Sequence, residues 1–340
     1  MRYGFVLENG IGKLAGWHDP DYMREWFRDN KSRDYTNKCM PLPEAVRKFV
    51  KDQNYIVFGG FGHVRTPMAA IYEIIRQKKR NLTMGAKTAV HDVDILVAAG
   101  VVDKIEATYT FGHELRGLSS ASRRAVENGT VKVIAEWSNG GFGLRLKAAA
   151  MGLPFLPSRG ALGSDTLKYS SSKVVKDPFS YKPISLIPAC YPDVAFIHVN
   201  RSDIYGNSQI DGITVQDIDL ARATKRLIIT TEKIVSNDQI RMHPERTAIP
   251  YFLVDAVIKI PYGAHPTNMP FLYYSDEEIM AEWLKVSKTT SGADNYLKKY
   301  VYNVDNFKEY LELVGGVSKM KKLKKIEKLE LLPDLKWLGA

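Results

Sequence analysis

The sequence feature that most constrains the fold is a repeated unit in which a short apolar strand is followed by a short helix. The first strand is predicted at Tyr55–Phe58, and the helix after it carries one apolar face at helical spacing, formed by Met68, Ile71, Ile74 and Ile75. The unit recurs with strands predicted at residues 82–84, 105–109 and 131–135, each followed by a helix. Such alternation favours right-handed βαβ units. We therefore predict an α/β fold with an open, mostly parallel sheet flanked by helices.

The rest of the chain is predicted to complete this sheet and to extend it at both ends. Further apolar strands are predicted at residues 194–199, 227–231 and 253–260. Residues 165–190 are polar and rich in Ser and Pro, so we expect an excursion or flap there, and the helical stretch from about 290 onward is expected to be less attached to the core. We divide the chain into an N-terminal extension (1–42), an α/β domain (43–290) and a helical, lysine-rich C-terminal extension (291–340).

The first strand ends in a glycine turn, Gly59-Gly60-Phe61-Gly62, and Arg65 follows it. Thr66 and Pro67 are expected to be the N-cap and the first residue of the next helix. A glycine turn before a helix N-terminus commonly binds anions, because backbone N–H groups point outward. The pattern GxxxxGK[ST] is absent, and Arg65 replaces the third glycine of the dinucleotide fingerprint GxGxxG, which disfavours a nicotinamide enzyme. A turn that only lets the helix pack on the strand is the alternative.

Three other segments resemble this turn in composition and in their position after a predicted strand. They are residues 137–142 with Ser138 and Asn139, residues 159–164 with Gly163 and Ser164, and residues 261–268 with His265. Ligands of open α/β sheets bind at the carboxyl ends of the strands. We therefore expect all four segments to converge on that edge.

Composition narrows the class of protein. The chain has 48 basic and 38 acidic residues and a formal net charge of +10, which suits nucleic acid, an anionic small molecule or an acidic partner. Much of the surplus lies in residues 319–325, where no aromatic residue interleaves, so we predict a surface helix or mobile tail and no nucleic-acid partner. Two distant cysteines, Cys39 and Cys190, suggest reduced, buried thiols in a cytoplasmic protein, and we expect no membrane span and no metal.

Several motifs together resemble the α subunit of family I coenzyme A transferases, of the glutaconate CoA-transferase type. The resemblance covers about residues 43 to 290 in one consistent order. It rests on the glycine turn followed by Arg65, on residues 150–157 (AMGLPFLP), on residues 162–164 (LGS), and on residues 193–198, 216–219, 254–257 and 261–266 (PYGAHP).

The resemblance implies a heteromeric enzyme, an αβ pair or an α2β2 heterotetramer, that uses a CoA thioester and a carboxylic acid as substrates and holds no permanent cofactor. In this family a glutamate of the β subunit forms a mixed anhydride with the acyl group, and CoA thiolate then converts it to a glutamyl thioester. The α subunit shapes the acyl pocket. Phe61, set among the glycines, would exclude water from the anhydride.

Transferred to this chain, the resemblance implies no catalytic nucleophile here and a set of substrate-binding residues. These are Gly59, Gly60, Phe61, Gly62, Arg65, Ser138, Asn139, Gly163, Ser164 and His265. For Arg65, an ion pair with a substrate carboxylate or a CoA phosphate and a packing role near the helix start are both open. For His265, the alternative is a structural histidine that hydrogen-bonds to the backbone.

Two Glu-Asn-Gly tripeptides resemble the start of the β-subunit nucleophile motif. Glu127-Asn128-Gly129 is interpreted as a helix C-terminus. Glu8-Asn9-Gly10 lies near the N-terminus, departs from the family glycine pattern at Lys13-Leu14 and lacks the sheet expected around a nucleophile. We therefore assign the nucleophile to a partner chain.

One departure bears on the type of reaction. Relatives in this family hydrolyse a ring or decarboxylate a CoA thioester, and the ring-opening branch is expected to carry an acidic residue in the loop occupied here by residues 138–140. Asn139 cannot act as a base, although it can donate a hydrogen bond to an oxyanion, and Glu136 is the nearby carboxylate. This favours a transferase over a hydrolase or decarboxylase. A ligand-sensing α/β domain without chemistry is the alternative from a different class.

Overall fold

The computed structural model describes residues 6–336 and consists of strands, α-helices and short connecting turns. The strands, in chain order, are β1 (Val6–Asn9), β2 (Tyr55–Phe58), β3 (Leu82–Ala86), β4 (Val102–Ala107), β5 (Lys132–Glu136), β6 (Phe155–Ser158), β7 (Lys173–Lys176), β8 (Pro183–Pro188), β9 (Val194–Ser202), β10 (Ser208–Gln209), β11 (Arg226–Ile234), β12 (Thr247–Ile249) and β13 (Ala256–Lys259).

The α-helices alternate with these strands through most of the chain and then follow one another at its C-terminal end. They are α1 (Pro20–Asn30), α2 (Leu42–Phe49), α3 (Met68–Arg76), α4 (His91–Ala98), α5 (Ser120–Glu127), α6 (Asn139–Ala150), α7 (Asp165–Tyr169), α8 (Asp217–Ala223), α9 (Asn237–Arg241), α10 (Glu277–Val286), α11 (Thr290–Leu297), α12 (Phe307–Leu313) and α13 (Gly316–Glu327).

The larger sheet has nine strands and is open and mostly parallel, which confirms the predicted fold class. Its parallel strands are ordered β13-β11-β9-β2-β3-β4-β5, while β10 and β12 add a short antiparallel edge beside the end of β9. Because the central strands are parallel, their carboxyl ends share one edge, and the loops that follow them lie there.

Both faces of this sheet are buried, as the continuous apolar strands require. Ile56 and Phe58 of β2 point into a core shared with α2, α3, α4 and the C-terminal helices, whereas Tyr55 and Val57 point to the opposite core, shared with α6 and α8. The alternation follows from the twofold side-chain period of a strand. Helix α3 is buried from Met68 to Ile75, more completely than its predicted single apolar face requires.

Residues 165–190 lie outside the parallel sheet, and the excursion predicted there has regular secondary structure. This stretch contains α7, β7 and β8, and the two strands belong to a second, four-stranded antiparallel sheet of order β1-β7-β8-β6. Two prolines of this stretch, Pro183 and Pro188, stand at the two ends of β8, where a strand tolerates them.

The expectation that residues beyond 290 attach loosely to the core is wrong. Tyr296, Tyr300 and Tyr310 are each at most 3% exposed and belong to the same apolar core as β2 and α3. The lysine-rich stretch is the surface helix α13, which buries Met320, Leu323 and Ile326, exposes Lys321, Lys322, Lys324 and Lys325, and pairs Lys319 with Asp276. The division of the chain at residues 42 and 290 stays a prediction. In the described part of the chain, no helix is both long and apolar enough to cross a bilayer.

Candidate active site

The glycine turn lies at the carboxyl end of β2, but its N–H groups point inward. Each of the four donates within the protein: Gly59 to the carbonyl of Phe196, Gly60 to the Asp217 carboxylate, Phe61 to the carbonyl of Val64, and Gly62 to the carbonyl of Thr88. The expectation that this backbone offers outward N–H groups to an anion is therefore wrong. The turn shapes the edge of the sheet without supplying main-chain donors to a ligand.

The glycines are required because other parts of the same chain approach the backbone. Gly60 has φ of +85°, and a Cβ there would lie 2.3 Å from the carbonyl oxygen of Val64. A Cβ on Gly59 would lie 3.1 Å from Asp217 Oδ1 and 3.0 Å from Ile197. Phe61 is the half-buried residue of the turn. The close approach thus comes from Asp217 and Val64, and Phe61 keeps a partly exposed ring at this edge.

Arg65 is buried beneath the turn and paired with Asp217. The Arg65 and Asp217 side chains are both 0% exposed, with Nη1 of Arg65 2.7 Å from Oδ2 of Asp217. Nη2 also donates to the carbonyl of Ile213 at 2.7 Å. An ion pair with a substrate would require the guanidinium to leave these partners, so the packing interpretation replaces substrate binding for Arg65.

Helix α6 begins at the carboxyl end of β5 and presents the outward donors that the glycine turn lacks. Ser138 is its N-cap and accepts a hydrogen bond from Gly141 N at 2.9 Å. Ser138 and Gly140 are exposed and Asn139 is half-buried. The first N–H groups of a helix have no intrahelical acceptor, and the helix dipole favours an anion there. This end of α6 is the part of the edge best suited to a carboxylate or an oxyanion.

The side-chain amide of Asn139 is held in one orientation by its neighbours. Its Oδ1 accepts from Tyr109 N at 3.4 Å and from the Thr88 hydroxyl at 2.7 Å. Because a backbone N–H can only donate, the oxygen faces Tyr109 and the Nδ2 group faces away from it. Within residues 6–336 Nδ2 has no hydrogen-bond acceptor, so it is available to donate to a ligand.

The backbone of the loop after β13 forms hydrogen bonds with the residues that directly follow the glycine turn. Arg65 N donates to Asn268 O at 2.9 Å, and Asn268 N donates to His63 O at 2.8 Å. His265, predicted as a substrate-binding residue, is 0% exposed and lies between the Tyr310 hydroxyl at 2.8 Å and Asp276 at 3.0 Å. These contacts favour the structural interpretation of His265 over direct contact with substrate.

The loop with Gly163 and Ser164 does not follow a strand of the parallel sheet, so the reason for expecting it at this edge is wrong. It follows β6, which belongs to the antiparallel sheet. Both residues are exposed, and Ser164 serves as the N-cap of α7 by accepting from Leu167 N. Sequence order after a strand indicates the shared edge only for strands of the parallel sheet, and β6 is not one of them.

Glu8 lies on β1, at the edge of the smaller sheet, with an exposed side chain, so the expectation that it lacks a surrounding sheet is wrong. The glycine after it has a packing reason: a Cβ on Gly10 would lie 2.1 Å from Ser170 O. In the other tripeptide, Asn128 caps α5 and Gly129 has φ of +71°, as predicted for a helix C-terminus.

Three histidines lie close together behind the glycine turn. His63 Nε2 is 3.2 Å from His113 Nδ1, and the His91 and His113 ring centroids are 5.9 Å apart. All three are at least 93% buried, and burial lowers the pKa of His63 and of His91 to about 3 and that of His113 well below its usual value. Over the described residues, no group of three or more His, Cys, Asp or Glu side chains has the geometry to hold a metal ion.

Residues 40–259 match the model of the coenzyme A transferase family, and the chain belongs to this family. It is 34% identical to the A subunit of glutaconate CoA-transferase from Acidaminococcus fermentans, over 82% of this chain and 92% of that protein. It is 31% identical to the A subunit of 3-oxoadipate CoA-transferase from Pseudomonas knackmussii, over 80% of this chain and 96% of that protein.

Solved structures agree with this assignment. The fold matches the crystal structure of glutaconate coenzyme A-transferase from Acidaminococcus fermentans with a TM-score of 0.81 and 32% identity, covering 84% of this chain and 95% of that one. It also matches the decarboxylase AibA/AibB with a TM-score of 0.68 and 30% identity, covering 77% of this chain and all of that one.

Proposed function

We propose that this chain is the α subunit of a heteromeric CoA-transferase, which moves CoA between an acyl-CoA and a carboxylic acid. The observation that carries the proposal is the similarity to one subunit of glutaconate CoA-transferase along nearly the whole of that subunit. We infer that a β subunit supplies the glutamate nucleophile, that the assembly is αβ or α2β2, and that it works in the cytoplasm.

The chemistry assigned to this chain is support for the thioester carbonyl. When the partner's glutamate attacks that carbonyl, its oxygen gains negative charge, and CoA thiolate leaves as the anhydride forms. Asn139 Nδ2 and the first N–H groups of α6 are donors of the kind that stabilise such an oxygen. Phe61 would cover the same edge from water, because an anhydride reached by water is hydrolysed.

The first prediction concerns reconstitution. The purified chain alone is expected to show no CoA transfer, and activity is expected when the β chain is added, because the nucleophile arrives on that chain. Transfer is measured by following the new acyl-CoA with a donor thioester and a panel of acceptor acids. Glu8→Ala in the reconstituted complex is the matched control and should leave the rate unchanged. Full turnover by the isolated chain, abolished by Glu8→Ala, would overturn the assignment.

The second prediction concerns Asn139. Asn139→Ala in the complex should lower kcat by about 100-fold or more, since the donor acts mainly on the charge that develops in the transition state. The exposed Asn303→Ala is the control, because its side chain makes no hydrogen bond with the described residues. Initial rates over a range of thioester concentrations separate kcat from KM. An unchanged kcat in the folded Asn139→Ala complex would remove Asn139 from the mechanism.

Hydrolysis or decarboxylation of a CoA thioester is the second candidate. It is supported by the likeness to a decarboxylase and by Glu136, whose exposed side chain stands at the carboxyl end of β5. Product analysis with and without an acceptor acid separates the two reactions, because transfer requires the acceptor. Consumption of thioester at the same rate without an acceptor would favour the second candidate.

A further inference from the structure

A buried charge cluster lies under the glycine turn and consists of Arg65, Lys87 and Asp217. The three side chains are 0%, 1% and 0% exposed. Asp217 accepts from Arg65 at 2.7 Å and lies 3.4 Å from Lys87 Nζ. Burying three charged groups is costly unless they are paired, so the contacts they make beyond one another indicate what the cluster does.

Both hydrogen-bonding groups of Gly60 are held by this cluster. Gly60 N donates to Asp217 Oδ1 at 3.0 Å, and Lys87 Nζ donates to Gly60 O at 2.6 Å. Hydrogen bonds of Gly59 to β9 and of Gly62 to Thr88 hold the turn on either side of Gly60, and the two charged side chains hold Gly60 itself. The conformation of the turn therefore depends on two charged side chains, one directly after β3 and one at the start of α8.

The residues next to Lys87 and Asp217 reach Asn139. The hydroxyl of Thr88, which follows Lys87, donates to Asn139 Oδ1 at 2.7 Å, and the backbone carbonyl of Thr88 accepts from Gly62 N at 2.9 Å. Gln216, which precedes Asp217, donates from Nε2 to the Asn139 carbonyl at 2.9 Å. Two dipeptides, Lys87-Thr88 and Gln216-Asp217, thus each hold Gly60 with one residue and Asn139 with the other.

We propose that Lys87 and Asp217 are positioning residues that, through Thr88 and Gln216, set the place of Asn139 relative to the glycine turn. The inference rests on the proposed function, because it assigns these residues to the placement of the donor that supports the thioester carbonyl. Neither residue touches the substrate. Their contribution is the geometry of Asn139, and a displacement of about 1 Å at such a group can change a rate by about 100-fold.

A double-mutant cycle in the reconstituted complex tests the inference. Lys87→Met removes the ammonium group, keeps most of the length of the side chain and leaves the Arg65–Asp217 pair balanced. We expect it to lower kcat by about 10- to 100-fold with KM changed far less. If Lys87 acts through Asn139, the double variant Lys87→Met/Asn139→Ala should be no slower than Asn139→Ala alone. Lys104→Met, on β4 with a side chain 39% exposed, is the control and should match wild type.

A second variant and a second measurement keep the inference testable if Lys87→Met misfolds or if the complex is inactive. Thr88→Val replaces the hydroxyl that contacts Asn139 with a methyl group, and it is the substitute test if Lys87→Met does not fold. The double variant Thr88→Val/Asn139→Ala should then be no slower than Asn139→Ala alone. Amide hydrogen exchange of the isolated chain should be faster at residues 59–64 in Lys87→Met and unchanged in the central strand β9.

The outcomes separate the positioning role of Lys87 from the proposed function of the chain. An inactive wild-type complex would reject the proposed function, while the exchange measurement would still decide whether Lys87 holds the turn. An active wild type in which the Lys87 and Asn139 losses multiply would overturn the positioning role and leave the function standing. Unchanged exchange at residues 59–64 would overturn it as well.

Discussion

Replacing Arg145 with Met is expected to lower the free energy of unfolding by about 3–5 kcal/mol, because it leaves Glu106 as an unpaired buried charge. Arg145 and Glu106 are both 0% exposed, and Nη1 of Arg145 lies 2.5 and 2.6 Å from the two carboxylate oxygens. Glu106 also accepts from Trp137 Nε1 at 3.2 Å. Urea unfolding at pH 7 of wild type and variant measures the change.

Arg145 also joins parts of the chain that are distant in sequence. It donates to the carbonyls of Ala15 at 2.6 Å and Pro188 at 3.2 Å, so it connects the N-terminal segment and the end of β8 to β4. We therefore expect the N-terminal segment to become sensitive to protease in the variant.

The exposed helical pair of Arg123 and Glu127 provides the matched control. Arg123→Met should cost no more than about 0.5 kcal/mol, because a solvent-exposed i,i+4 pair is weak. The double variant Arg145→Met/Glu106→Gln should recover part of the stability lost in Arg145→Met, since the unpaired charge is gone. Equal effects of Arg145→Met and Arg123→Met would contradict the account of a buried pair.

Mild acid is expected to destabilise the protein strongly through His63, His91 and His113. In the folded chain burial holds the pKa of His63 and His91 at about 3, whereas in the unfolded chain these groups protonate near 6.5. Between those values the unfolded state binds more protons, so the free energy of unfolding falls as pH falls. Each histidine contributes about 1.4 kcal/mol per pH unit within this window.

Asp92 opposes part of this effect. Burial raises the pKa of its carboxyl to about 6, so below pH 6 the folded state holds a proton that the unfolded state still lacks. Burial raises the pKa of the Asp94 carboxyl as well, so two carboxyls oppose three histidines, and the net effect is a free energy of unfolding that falls as pH falls from 6 toward 4. Desolvation is the larger cause of the low pKa values of His63 and His113, and Coulombic repulsion from Arg116 and from the neighbouring imidazoles lowers them further.

Urea unfolding at pH 7, 6 and 5 tests the sign and the size of this dependence. In the described structure neither ring nitrogen of His91 has a hydrogen-bond partner, so His91→Leu breaks no hydrogen bond there. It should reduce the pH dependence of the free energy of unfolding by the contribution of about one proton. His243 is exposed and lies outside the buried histidine cluster, so His243→Gln is the control and should leave the slope unchanged. Stability that stays constant from pH 7 to pH 5 would show that the buried rings accept protons without cost.

The candidate site was predictable where local patterns repeat and unpredictable where partners come from afar. Ser138 and Asn139 could be placed at the start of a helix after a parallel strand, and the structure puts them there. Lys87, Thr88 and Asp217 were not identified as site residues, although the Gln216-Asp217 pair belongs to the motifs that carry the family resemblance. Nothing in the local sequence shows that a lysine after β3 bonds to Gly60.

Two corrections at the sheet edge have the same origin. The stretch from Tyr55 to Pro67 contains the glycines and Arg65, but not the carboxylate that makes them necessary, because Asp217 is 152 positions from Arg65. The loop with Gly163 follows a strand as the others do, yet that strand pairs in the second sheet. Strand pairing between distant segments decides which loops meet.

The fold class could be read from the amino-acid sequence alone, because strand and helix periodicities are local and alternate without interruption from β2 to α6. The family could be read from it too, through motifs spread in one order along the chain. Which glycine turn offers donors to a ligand could be known only from the three-dimensional contacts, because an N–H group is free or engaged according to acceptors such as Asp217 and Thr88 that distant parts of the chain supply.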